Sequence, residues 1–147
     1  MMNSNIKTTE LTVTRIIPAK PAEIFDVWLD SKSPGSPWFG VAKAIVNPVV
    51  DGLFYHLVQF EGCGWAHYGR VTALERPSKI QHTWVSPATR GLESVVTLSF
   101  EPQGDQTLVT LHHANLPDDE MGRRHQEGWG FVLAMLAERF IRQKKDH

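Results

Sequence analysis

The sequence predicts an α+β fold in which seven antiparallel strands form one sheet and a long C-terminal helix covers its concave face. Three observations carry this. Short runs of alternating or β-branched residues, separated by turn residues, fill the middle of the chain. Most of their connections are too short for parallel crossovers, so the strands run as an antiparallel meander. After Pro117 the period changes: Met121, His125, Trp129, Val132, Leu133, Leu136 and Phe140 recur at three- and four-residue steps and give a helix one apolar face.

The first strand covers 11–17, where Leu11, Val13, Arg15 and Ile17 alternate with Thr12, Thr14 and Ile16, and it ends at Pro18. Pro21 sits where a helix tolerates proline, at the head of a short helix whose stripe is Ile24, Phe25, Trp28 and Leu29. Glu23, Asp26 and Asp30 mark its solvated face. Residues 31–40 are rich in Ser, Pro and Gly and read as a loop or a single helical turn, with Trp38 and Phe39 the only bulky side chains. Six further strands follow at 41–46, 53–60, 65–74, 80–85, 94–100 and 108–113, with turns at Asp51-Gly52, Gly62-Cys63-Gly64, Pro77-Ser78 and Gln103-Gly104-Asp105. Strand parity selects the inward residues: Phe54, His56 and Val58; Ile80, His82 and Trp84; Val96, Leu98 and Phe100; Val109, Leu111 and His113. The polar inward candidates are histidines.

The closing helix carries an unusual burden. Gly122, Gly128 and Gly130 each cost about 1 kcal/mol relative to alanine inside a helix, a large total beside a domain stability of about 5–15 kcal/mol. Close approach to another surface is the compensation expected. Asp118, Asp119 and Glu120 suit the positive N-terminal end of the helix dipole, and the bases within 139–145 suit its C-terminal end.

At 147 residues, 41% hydrophobic and 21% charged, the chain fits a single globular domain spanning 1–147. Its formal charge of -1, with bases scattered outside the tail, gives nucleic-acid binding little electrostatic support. No apolar run reaches the roughly 18 residues that span a bilayer, and the polar start, 1–7, is not a signal-peptide core, so the expected location is the cytoplasm without membrane insertion. Cys63 is the sole cysteine, which excludes an intrachain disulfide and a cysteine-rich zinc site. Its place in a turn, with no acid or histidine set beside it, favours an ordinary surface thiol over a nucleophile.

An ordered series of segments carries a family resemblance: Thr14-Arg15-Ile16-Ile17-Pro18-Ala19, Ala22-Glu23-Ile24-Phe25-Asp26-Val27-Trp28, Pro37-Trp38-Phe39-Gly40, Tyr68-Gly69-Arg70-Val71, Glu75-Arg76-Pro77-Ser78-Lys79-Ile80, Thr83-Trp84, Leu111-His112-His113, and His125-Gln126-Glu127-Gly128-Trp129. Together they resemble the START-like (SRPBCC) superfamily, in the bacterial branch similar to the C-terminal domain of the heat-shock-protein-90 ATPase activator. The resemblance implies a helix-grip fold: a strongly bent antiparallel sheet around the C-terminal helix, two short helices between the first two strands, and a cavity between helix and sheet. Relatives include lipid and sterol carriers, hormone receptors, polyketide cyclases, hydrolases and chaperone activators, so the fold leaves activity open. Asp51-Gly52-Leu53 departs from the two glycines that relatives often carry there.

Seven histidines invite a metal reading, but no HExxH or comparable spacing occurs and no cofactor is expected. His113 reads either as a hydrogen-bonded core residue or as an acid–base or anchoring group. Trp38, Trp84 and Trp129 serve equally as core or as pocket walls. Glu127 is expected to be solvated or held by Arg123 or Arg124. The leading expectation is a noncatalytic protein that binds a small apolar or aromatic ligand through Trp38, Phe39, His56, Trp84, His113, Trp129 and Leu133. The rival is a cyclase- or hydrolase-type enzyme with His56 or His113 as general base, and the resemblance adds a chaperone contact as a third reading. Open strand edges also allow a homodimer.

Overall fold

The computed structural model describes residues 7–145; the polar start at 1–6 lies outside them. Its elements are β1 (Thr8–Ile17), α1 (Pro21–Trp28), β2 (Lys43–Val46), β3 (Leu53–Phe60), β4 (Cys63–Glu75), β5 (Lys79–Trp84), β6 (Ser94–Gln103), β7 (Gln106–Pro117), α2 (Glu120–Arg123) and α3 (His125–Lys145). The seven strands form one antiparallel sheet in the order β1-β7-β6-β5-β4-β3-β2. Between α1 and β2 the chain runs as consecutive turns, so the second short helical segment is drawn out into single turns.

The bend is written into β4. Its first half pairs with β3 from Cys63 to Arg70, and its second half pairs with β5 from Val71 to Glu75. Near the changeover, the Thr83 carbonyl of β5 lies so close to Gly69 that a Cβ there would collide with it. Thr83 Oγ1 also accepts the Arg70 N–H at 2.9 Å. A glycine in a strand commonly marks such a close approach.

Two boundaries differ from the sequence expectation for clear reasons. The β3–β4 turn needs only Glu61 and Gly62, both at positive φ, so Cys63 and Gly64 are already paired in the strand and Cys63 is exposed there. The closing helix is not continuous from Pro117 but breaks at Arg124. There the His125 ring contacts the Met121 and Gly122 carbonyls at 3.1 Å through Nδ1. These are the carbonyls that the N–H groups of His125 and Gln126 would take in an unbroken helix. Asp119 caps α2 by accepting the Gly122 N–H at 2.8 Å.

One core joins the layers. Phe54, Ile80, Val96, Leu98, Phe100, Val109 and Leu111 point in from the sheet, as parity required, and meet Trp129, Leu133, Leu136, Ala137 and Phe140 of α3. From α1, Ile24, Phe25 and Trp28 close one end. The glycine expectation holds for one residue of three. A Cβ on Gly122 would strike the Pro117 carbonyl, whereas one on Gly128 or Gly130 would meet nothing within 4 Å. Packing therefore does not require glycine at 128 or 130.

Replacing these glycines should separate the two classes. Gly130→Ala is expected to stabilise the protein by about 1 kcal/mol in chemical denaturation, and Gly69→Ala to destabilise it by more than about 2 kcal/mol.

Candidate functional site

A cleft of about 460 Å³, open to solvent on one side, lies between the N-terminal turns of α3 and the inner face of β3 to β5. Its deep wall is made of rings. His56 on β3 and His67 on β4 are cross-strand partners and stack at 4.6 Å with planes 7° apart. Trp38 stacks on His56 at 4.6 Å, while Trp84 leans on His56 at 5.1 Å and on His67 at 5.0 Å. Trp129 reaches down from α3 to within 4.8 Å of Trp84. The rim is aliphatic and soft, with Met121, Val132 and Met135, and with Phe131 72% exposed.

Beside this wall runs a buried polar chain. The Trp129 indole N–H donates to His113 Nδ1 at 2.8 Å, which assigns the imidazole proton to Nε2. That N–H faces Ser94 Oγ at 2.7 Å, and the serine hydroxyl donates to the Trp84 carbonyl at 2.6 Å. Every member is satisfied. A second relay runs from the Trp28 indole N–H to His82 Nε2 at 3.3 Å and from His82 Nδ1–H to the Thr83 carbonyl at 3.0 Å. Trp38 is fixed by its own N–H, 2.7 Å from the Trp28 carbonyl.

Burial keeps these histidines uncharged. Desolvation pushes His56 down to about 3, with His67 and His82 nearby adding to the effect. Desolvation likewise takes His67 and His82 to about 4 and His113 to about 2. His125, half-buried at the cleft, is also lowered by desolvation. A general base works best with a pKa near the operating pH, which none of the four has. The Ser94–His113 contact resembles a nucleophile–base pair only in distance: both residues are fully buried, and the imidazole proton sits on the wrong nitrogen to accept one from Ser94.

Four of the seven anticipated ligand-contacting residues, Trp38, His56, Trp84 and Trp129, line the cleft. Phe39 turns outward and is 46% exposed, while Leu133 and His113 are fully buried away from the cleft surface. His113 takes the structural role, as the link between α3 and the sheet. Glu127 is exposed, and Arg123 and Arg124 bind Asp118 and Glu120 instead. Of the cleft residues, His67, Phe131 and Met135 were not singled out from the sequence, while Met121 and His125 were placed on the helix's apolar face but not at a site. Gly128 also lines the cleft, and its missing side chain leaves the helix wall bare. Among the described residues no group of His, Cys, Asp and Glu is arranged to hold a metal ion, and no helix is long and apolar enough to cross a membrane.

A bent antiparallel sheet gripping a terminal helix over such a cleft defines a helix-grip α+β protein. The family model described as Activator of Hsp90 ATPase homolog 1-like protein matches residues 18–140, and the chain belongs to that family. Among solved structures, the AHSA1 protein from Silicibacter pomeroyi is 27% identical with a TM-score of 0.75, covering 92% of this chain and 99% of that one. An HSP90 activator from Plasmodium falciparum is 23% identical with a TM-score of 0.67, covering 82% and 86%. CalU16 from Micromonospora echinospora is 22% identical with a TM-score of 0.68, covering 90% and 76%. These last two show likeness of fold. No curated protein matches the chain.

The buried neutral histidines set an acid limit on stability. Each binds its proton at about 6.5 when unfolded and only at about 4 or below when folded. Stability is therefore intact above pH 6.5 and lost as the pH falls toward 4, by up to about 5 kcal/mol per pH unit for the four together. Circular dichroism should show unfolding centred near pH 5, above the range in which ordinary carboxylates titrate.

Proposed function

We propose that the protein is a cytoplasmic, noncatalytic binding protein that takes a small apolar or aromatic molecule into the cleft between α3 and the sheet. The observation that carries this reading is the cleft itself. Its volume of about 460 Å³ falls in the usual range for small-molecule sites, roughly 300–1,000 Å³. Its walls are aromatic rings and aliphatic side chains, with few polar groups. Because the space opens to solvent, it carries no vacuum-like penalty of a sealed void, which at 300 Å³ would be roughly 7 kcal/mol. Water occupies it until an apolar molecule displaces that water. Against catalysis stand the depressed histidines and the serine–histidine pair whose proton is misplaced for base action.

Blocking the cleft from the helix side tests the reading. Gly128→Phe should preserve or raise the unfolding temperature, because no packed neighbour is displaced there, yet reduce binding of bicyclic aromatic probes at least tenfold by native mass spectrometry. Unchanged probe affinity in that variant would end the proposal.

Family membership favours a second reading, contact with a chaperone ATPase, since one structural relative is an HSP90 activator. Another, 18% identical with a TM-score of 0.69, is the Aha1 dimer from Colwellia psychrerythraea, and β1 and β2 leave two free sheet edges here. Sedimentation velocity of the protein alone, and mixed with the bacterial chaperone homologue, checks both. A single monomeric boundary unchanged by the chaperone would remove the two together.

A further inference from the structure

Packing does not explain two features of α3. Gly128 costs the helix about 1 kcal/mol relative to alanine, yet a Cβ there would meet nothing within 4 Å. Phe131 is 72% exposed, the most exposed large hydrophobic side chain among the described residues. Both belong to one line along the helix. Arg124, Gly128 and Phe131 follow at i, i+4 and i+7 and so stand one above another, and Arg124 already has helical backbone angles just before α3 begins. All three line the cleft. All three also line a shallow hollow on the neighbouring face of the helix, where Glu127 completes the wall. The line is therefore a ridge between cleft and hollow, and Gly128 is a notch in it.

The two sides of the ridge differ in chemistry. In the cleft, Trp38 and Trp129 spend their indole N–H groups on protein acceptors. Trp84 Nε1, His56 Nδ1 and His67 Nδ1 have no partner but are shielded by the packing around them. None of these five atoms is open to a ligand. Past the notch the polar groups are accessible. Arg124 binds Glu120 through Nη2 alone, at 2.7 Å, which leaves other guanidinium N–H groups free to donate. Glu127 is exposed, and its carboxylate accepts. A donor and an acceptor of opposite charge side by side match a head group that both accepts and donates, and favour neither an anion nor a cation.

We infer that the ligand of this cleft is a one-ended amphiphile: an apolar or aromatic body with a single uncharged polar head of the alcohol or amide class, which enters body first and passes its head through the notch at Gly128 to Arg124 and Glu127. The inference rests on the cleft being a binding site and adds the polarity and orientation of what it binds. The missing side chain at 128 is the space that the neck of the molecule occupies, and Phe131 covers that neck from the side.

Titration calorimetry with three probes of one ring system tests this: naphthalene, the body alone; 2-naphthaleneethanol, with a head at one end; and 6-(2-hydroxyethyl)-2-naphthol, with a second hydroxyl at the opposite end. The one-headed probe should bind at least as tightly as naphthalene. The second hydroxyl should weaken binding about tenfold, because either orientation then sends one hydroxyl into the apolar cleft. In Gly128→Ala, the added methyl touches nothing in the free protein, so the unfolding temperature should hold or rise. The affinity of 2-naphthaleneethanol relative to naphthalene should nonetheless fall about fivefold in that variant, the effect of crowding a filled contact by one methyl. Equal affinity of the one-headed and two-headed probes, or an unchanged ratio in Gly128→Ala, would overturn the inference and leave the binding role standing. Failure of the unaltered protein to bind naphthalene at all would overturn both.

Discussion

The contact on which the rest depends is the hydrogen bond from Trp129 to His113. It joins the helix to the last strand at full burial, where an unmatched partner would cost roughly 1–3 kcal/mol. Its direction dictates the His113 tautomer, and that tautomer passes the proton side to Ser94 and on to the Trp84 carbonyl. One bond thus sets where α3 sits and also tethers the strand that carries Trp84. The helix cannot slide along the sheet without breaking a chain of satisfied groups in a medium that offers no replacement. The cleft exists because the helix is pinned at this point while its next exposed positions, Gly128 and Phe131, stand clear of the sheet.

Much of this was legible in the sequence, because a strand repeats every two residues and a helix every 3.6. Parity placed His56, His82, Trp84 and His113 on the inner face, and all four are buried there. The closing face of α3 was legible from Trp129 through Phe140 for the same reason. His67 was not, and the cause is local. A turn centred on Cys63 would set His56 opposite Arg70, whereas the two-residue turn at Glu61-Gly62 sets it opposite His67. Gly62 in the second position was the available signal, since positive φ at both turn residues is what such a hairpin requires.

Other features were beyond the reach of periodicity. Whether an inward histidine faces a cleft or vanishes into the core depends on depth along the sheet, which the pattern does not encode; His56 and His113 share a parity and differ in fate. The glycines likewise looked alike as text. Gly69 and Gly122 are demanded by a neighbouring carbonyl, while Gly128 and Gly130 are not demanded by any packed atom. The break at Arg124 arises because a side chain, the His125 ring, competes with the backbone for the carbonyls of Met121 and Gly122.

The choice of buried rings also has a logic of its own. Leucine at positions 56, 67, 82 and 113 would fill comparable space without the acid sensitivity that four neutral imidazoles impose. A neutral imidazole differs from leucine in offering one donor and one acceptor at fixed angles on a flat plate. At His82 and His113 both nitrogens are matched inside the protein, and these residues lock indoles in place. At His56 and His67 they are not, and there the flat plates stack with each other and with Trp38 along the cleft wall. The same residue type thus serves as a fastener where its bonds close internally and as an unmatched surface where they do not, and that division coincides with the boundary between core and cleft.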